Sequence, residues 1–149
     1  MTALVVYDSV YGNTEKIAKA IGGGIGGEVQ VVRATDAASL DLKSFGLVVV
    51  GAPTYGGKPT ETMQGFLGKI SETSMKGVKV ATFDTRLSGR FVRMFGFAAE
   101  KIGTSLQAKG GVLVMSPEGF FVKGREGPLK EGEVERALAW GRALAGKST

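Results

Sequence analysis

The 149-residue chain contains no cysteine and no histidine. Without cysteine there is no disulfide framework and no thiolate metal site. Without histidine the commonest metal ligand and the commonest general base are missing. Most hydrolase mechanisms and most zinc chemistry go with them. Long apolar runs are also missing: no segment approaches the roughly 20 residues that span a bilayer. The N-terminus has no basic stretch, and its apolar run of about five residues is too short for the h-region of a secretory signal. The expectation is a soluble, cytoplasmic protein. The length suits one domain, residues 1–149, able to bury a core without staples. Excess charge is confined to one half. Residues 1–75 hold six basic and seven acidic side chains, residues 76–149 thirteen and seven, for a net charge of +5. A basic half fits an anionic partner, a nucleic acid or a merely solvated surface.

What is present is a series of short apolar runs. Ala3-Leu4-Val5-Val6-Tyr7 reads as a buried strand, and Asp8 to Thr14 is a polar loop before a helical pattern of Ile17, Ile21 and Ile25. Gly22 to Gly27 holds a G-x-G-x-x-G-like spacing, but a dinucleotide fingerprint needs a strand before it and a helix after it. The run reads instead as a helix cap and turn. Residues 28–32 alternate as a second strand, and a short helix is expected around Ala37–Leu40. Leu47 to Val50 is a strand buried on both faces. It stops at a shaped loop, Gly51 to Pro59, with two prolines and three glycines among its residues. Met63, Phe66, Leu67 and Ile70 form a helix face. Val78 to Phe83 is another strand, with Asp84 to Gly89 as its loop. A helix with Phe91, Phe95, Ala98 and Ile102 on one side follows. The last strand, from Val112 to Val122, is broken at Ser116–Gly119. The closing helix shows Val134, Ala137, Leu138, Gly141 and Ala145, and ends near Gly146. Strands and helices in alternation call for an α/β fold, a doubly wound five-stranded parallel sheet with helices on both faces. Ligands of such sheets bind beyond the strand carboxyl ends. The loops at 8–14, 51–59 and 84–89 all follow strands and share that edge.

Gly141 to Ser148 matches the phosphate-loop pattern G-x-x-x-x-G-K-[ST] literally. The required strand does not precede it and no helix follows, so the match is false. A phosphorylatable aspartate at the end of the third strand is excluded, because Gly51-Ala52 stands there. The loop at 9–14 has more content. Ser9, Asn13 and Thr14 are donors, Gly12 permits close backbone approach, and no lysine or arginine lies within it. Such a loop suits a small anion met by N–H and O–H groups. Taken alone, it also suits a turn with a helix cap.

Ser9-Val10-Tyr11-Gly12-Asn13-Thr14 after a buried strand resembles the flavodoxin phosphate loop, [ST]-x-T-G-x-T. Gly51-Ala52-Pro53-Thr54-Tyr55-Gly56 is similar to the flavodoxin loop that carries an aromatic onto the flavin. The resemblance spans the chain in length and element order, including the broken last strand. It implies strand order 2-1-3-4-5 and bound flavin mononucleotide (FMN) shuttling electrons to or from a redox partner protein. Ser9, Val10, Tyr11, Gly12, Asn13 and Thr14 would hold the phosphate. Pro53, Thr54, Tyr55 and Gly56 would lie along the ring, with Gly56-Gly57 able to turn a peptide toward the flavin N5. Asp84, Thr85 and Arg86 would cover its second face.

The chain departs from the family pattern in three places. Tyr11 stands where flavodoxins usually have threonine, and the Tyr-Gly pair looks more like the quinone-reductase branch. The loop after Asp84 has no aromatic. Arg86, Arg90 and Arg93 bring positive charge to a region that is acidic in flavodoxins. A free Arg86 near the flavin would favour an anionic reduced ring, and the basic half would favour an acidic redox partner. Neither nucleic acid nor membrane is expected as a partner. A flavin-dependent NAD(P)H:quinone-type reductase and a flavin-free binding module are the alternatives.

Overall fold

The computed structural model describes residues 2–89 and 96–148. Strand β1 (Thr2–Tyr7) lies between β2 (Glu28–Arg33) and β3 (Leu47–Pro53), and both pairings are parallel. β4 (Lys79–Leu87) pairs parallel with β3. The last strand is in two pieces. β5 (Val112–Leu113) pairs with Lys79–Val80, and β6 (Glu118–Val122) with Phe83–Leu87, both parallel to β4. The sheet order is therefore 2-1-3-4 followed by the broken fifth strand, as expected. Strand order reverses between β1 and β3, so the crevice of such a sheet opens at their carboxyl ends.

Side-chain alternation along the strands divides the core in two. Leu4, Val6, Val48, Val50 and Val80 face helices α2 (Glu61–Lys69) and α3 (Ala98–Ala108), meeting Met63, Phe66, Ile102 and Leu106. Ala3, Val5, Leu47, Val49, Ala81 and Phe83 face α1 (Asn13–Ile25) and α4 (Glu133–Ser148), meeting Ile17, Ile21, Trp140 and Leu144. Burying one Leu, Ile or Phe side chain contributes about 1.5–3 kcal/mol. Phe83, Phe120 and Trp140 pack edge to face, with centroids 6.0–6.3 Å apart. Above Phe83 only a glycine fits: a Cβ on Gly51 would lie 2.2 Å from the ring.

Several boundaries differ from the sequence reading. Ala37–Leu40 is not helical. The connection holds two single 3₁₀ turns instead, Ala34–Asp36 and Leu42–Ser44. Gly22, Gly23 and Gly24 belong to α1, and only Gly26-Gly27 turn the chain. The glycines let two helices touch: a Cβ on Gly24 would sit 2.0 Å from the Leu138 carbonyl oxygen, and one on Gly141 2.2 Å from that of Ile21. The closing helix continues through Gly146 to Ser148, and its buried side is Ala137, Trp140, Gly141 and Leu144, with Val134 exposed. β4 does not stop at Phe83. Pairing with β6 keeps Asp84, Thr85 and Arg86 in the strand. The third long helix begins at Ala98, with Phe97 extended before it. Phe91 and Phe95, expected on its face, and Arg90 and Arg93 lie outside the described residues.

Candidate functional site

The carboxyl ends of β1, β3, β4 and β6 enclose a cavity of about 310 Å³, and the three expected loops meet there. Of the expected residues, Ser9, Val10, Tyr11, Asn13, Thr14, Pro53, Thr54, Tyr55, Gly56, Thr85 and Arg86 form its wall. Gly12 and Asp84 do not line it. Gly12 shapes the first loop from behind, and Asp84 lies beneath the wall with no exposure.

At the first loop, the backbone explains the sequence. Gly12 is the N-cap of α1 and takes φ 96°, a conformation that L side chains rarely adopt. The first amides of a helix have no partner within it. Here the Ser9 hydroxyl oxygen accepts from the amides of Gly12 and Glu15 at 3.1 and 3.3 Å. The Lys16 amide donates to the Gly12 carbonyl. The Asn13 and Thr14 amides remain without a partner among the described residues. Two free N–H groups at the positive end of a helix dipole make an anion site.

The side chains of this loop are more committed than their types suggest. The Asn13 amide nitrogen donates to the Glu126 carbonyl at 3.1 Å. The Thr14 and Thr85 hydroxyls are bonded to each other at 2.7 Å. The turn is buttressed from outside by Tyr7, Glu15 and Arg33. The Tyr7 hydroxyl donates to Glu15 at 2.5 Å, and Arg33 donates to the Ser9 carbonyl and to Glu15. Burial and the Glu15 carboxylate push the Tyr7 hydroxyl up to about 12. The same hydrogen bond holds the Glu15 carboxyl below its ordinary range.

Tyr55 leads the second loop. Its amide and carbonyl both pair with Lys58, closing a two-residue turn in which Gly56 and Gly57 have φ 58° and 77°. Two successive positive φ values are the signature of a type I′ turn. Lys101 donates to the Gly57 carbonyl and steadies the turn. The Tyr11 and Tyr55 rings stand edge to face, centroids 6.5 Å apart. Burial raises the Tyr55 hydroxyl, with Tyr11 and Asp8 adding to the rise and Arg125 opposing it.

Arg86 differs from the expectation of a free cation over the ligand. Because Asp84 to Arg86 is strand, alternation puts residues 84 and 86 on one face and Thr85 on the other. Arg86 therefore grips Asp84 with two bonds, 2.7 and 2.9 Å, and reaches Glu100 at 3.5 Å. Its guanidinium carbon also lies 3.6 Å from the Phe97 ring centroid. Asp84 accepts from the Ala99 amide as well, at 2.9 Å. Burial pushes the Asp84 carboxyl above its ordinary range, against the pull of Arg86.

The cavity does contain a cation that the first loop lacks. Arg125, in the turn after β6, lines the wall with its guanidinium carbon 4.5 Å from the Tyr55 ring centroid. By residue type alone, residues 123–132 make a plain polar loop. Their only sequence signal is the broken last strand, whose second piece ends at the same edge as the other loops. Gly57, Leu87 and Val122 complete the lining.

The residues present fit a phosphorylated aromatic ligand. A helix end offers unpartnered amides, and next to it lies a slot of Pro53, Tyr55, Leu87 and Val122. Among solved structures, the chain is similar to flavodoxin 2 from Bacillus cereus, with a TM-score of 0.83, 24% identity and 99% of both chains covered. A flavodoxin from the domain Archaea gives 0.78 and 25% identity, again over 99% of both chains. A flavodoxin, WrbA-like protein from Agrobacterium tumefaciens gives 0.78 and 20%, over 99% of this chain and 96% of the other. The family model for flavodoxin matches residues 5–140, from within β1 to within α4. A cavity built at the loops of a 2-1-3-4-5 sheet, and a sequence match over nearly the whole chain, place this protein in the flavodoxin family.

Proposed function

We propose that this protein carries electrons on FMN held at the cavity, and that it exchanges them with an acidic redox partner. Flavodoxins bind FMN and transfer electrons to partner proteins. The observation that carries the assignment to this cavity is the pair of unpartnered amides, Asn13 and Thr14, opening beside Tyr55. The phosphate would meet those amides and the outward hydrogen of Ser9, with Val10 and Tyr11 closing over it. Gly12 holds the turn that aims them. Pro53, Thr54, Tyr55 and Gly56 would lie along the ring. Asp84, Thr85 and Arg86 act from the strand below: Thr85 by its bond to Thr14, and the ion pair by fixing the wall. Bound flavin supplies the one- and two-electron chemistry. The chain binds, orients and tunes it electrostatically. Glycine at both centres of the 55–58 turn leaves the Gly56 peptide free to rotate its carbonyl toward the ring.

The mouth of the cavity supports transfer between proteins. Val10, Tyr11 and Leu87 are exposed by 55, 44 and 38% and all line it. Arg125 lines it too, and exposed Lys58, Lys123 and Lys130 adjoin its wall, Lys58 pairing with Tyr55, Lys123 following Val122 and Lys130 bonding Ser88 beside Leu87. Apolar tips within a basic rim fit a partner that is acidic around its own redox centre.

Absorption spectroscopy tests the cofactor. The purified protein, as isolated or after adding FMN, is expected to show the flavin bands and to quench FMN fluorescence on binding. Riboflavin, lacking the phosphate, is expected to bind at least tenfold more weakly, since hydrogen bonds to charged groups contribute about 1.5–3 kcal/mol each. A colourless protein that stays colourless overturns the proposal. Exposed Tyr11 beside Gly12 also supports the quinone-reductase reading. Steady NAD(P)H turnover with a quinone by a multimeric species would select it.

A further inference from the structure

The cavity wall carries two arginines in different circumstances. Arg86 is bonded to Asp84 and Glu100. Arg125 has no carboxylate partner among the described residues, and its recorded contact is the face of Tyr55. Its position is fixed by the turn that bears it. The Lys123 amide donates to the Pro128 carbonyl, the Gly127 amide to that of Gly124, and the Lys130 amide to that of Phe121. The Asn13 side chain ties the same turn to the start of α1 through Glu126. Contact there is close enough that a Cβ on Gly127 would come within 2.6 Å of the Asn13 side chain. The guanidinium reaches away from this anchor to Tyr55, on the ring side of the cavity.

We infer that Arg125 is a specificity-determining residue of this cavity, favouring the ligand state with negative charge on the ring: reduced flavin over oxidised. The inference rests on the flavin reading above. Two electrons and one proton added to a flavin leave the ring with one negative charge when the N1 proton stays in solvent. An uncompensated cation in the wall attracts that charge and has little to attract in the neutral oxidised ring. The phosphate, negative in both states, is already met by the α1 amides. Arg125 is exposed, so screening reduces the attraction to about tenfold in affinity.

The test uses the FMN-loaded protein and the variants Arg125→Gln and Arg125→Lys, titrated with dithionite against a reference dye at neutral pH. Arg125→Gln is expected to lose about tenfold in affinity for reduced relative to oxidised flavin, a two-electron midpoint about 30 mV more negative. Arg125→Lys keeps the charge and is expected to restore most of the shift. Fluorescence titration supplies the second readout. Arg125→Gln should weaken oxidised FMN and oxidised riboflavin equally, and by less than it weakens reduced flavin. An unchanged midpoint in Arg125→Gln overturns the inference while leaving the flavin reading intact. So does a lysine variant as low as the glutamine one. A loss for oxidised FMN that riboflavin does not share makes Arg125 a phosphate ligand and also overturns it. Failure of the unaltered protein to bind either flavin overturns the flavin reading, and this inference with it.

Discussion

The Arg86 guanidinium is bonded to three carboxylate oxygens, two of Asp84 and one of Glu100, and only 12% of its side chain is exposed. Removing it would strand the fully buried Asp84 carboxylate. Breaking a buried pair from one side costs about 3–5 kcal/mol. Arg86→Ala is therefore expected to lower stability by about 3 kcal/mol, read from urea unfolding. The pH dependence has a definite sign. A carboxyl raised on folding contributes stability that is full below its unfolded pKa and lost as pH rises through its folded one. Asp84 is already raised by burial, and losing Arg86 raises it further. The variant should therefore be more destabilised at mildly alkaline pH than at mildly acidic pH. A loss that does not grow with pH would mean that Asp84 finds another cation or water.

At the level of elements, Glu133 joins the start of α4 to β6. Its carboxylate accepts from the Phe121 amide at 2.7 Å and from Arg136 at 2.7 and 3.0 Å. Burial raises its pKa, but Arg136 and the Phe121 amide pull it lower, and the net result is below the ordinary range. For a carboxyl lowered on folding, the stability is present above the unfolded pKa and is lost as pH falls through the folded one. The urea midpoint is expected to fall on acidification below about pH 4.3, the usual glutamate value. Glu133→Gln should flatten part of that fall. This register also governs the cavity, since β6 leads directly into the Arg125 turn. The strands are legible in the sequence because apolar runs and turn residues are local signals, whereas their order in the sheet came with the resemblance to flavodoxins. The sequence missed the extension of β4 because Asp84-Thr85-Arg86 is polar by type and extended only through its neighbour, β6. That one misplacement made Arg86 look free. Arg125 was missed for a related reason: no local pattern says that a polar loop folds back over an aromatic from residue 55. The Gly22–Gly24 run resembled a cap because the pressure toward small residues comes from α4, more than 100 residues away.

Across the whole molecule, charge is uneven. Residues 76–149 hold thirteen basic and seven acidic side chains against six and seven in residues 1–75. Arg125 lines the cavity, and exposed Lys58, Lys123 and Lys130 adjoin its lining, Lys58 pairing with Tyr55, Lys123 following Val122 and Lys130 bonding Ser88 beside Leu87. Small inorganic oxidants read that local field without knowledge of the natural partner. Reoxidation of the reduced flavoprotein by ferricyanide, an anion, is expected to slow as salt rises. Reoxidation by hexaammineruthenium, a cation, is expected to speed up. Equal or reversed salt slopes would show that the field at the mouth is not positive, and an acidic partner would lose its support.

The hydroxyl pair Thr14–Thr85 joins the first turn of α1 to β4 at 2.7 Å, and either oxygen can be the donor. A bond of that kind has two polarities and one set of heavy-atom positions. When Thr14 turns its hydrogen outward to the cavity, Thr85 supplies the hydrogen between them. In either polarity one hydroxyl hydrogen is left over, that of Thr14 or that of Thr85, and both residues line the cavity. The cavity can thus exchange a hydrogen bond with solvent for one with a ligand by rotating two protons, with the backbone at rest. Thr85→Val would remove the partner in both senses and leave the buried Thr14 hydroxyl without its bond to β4.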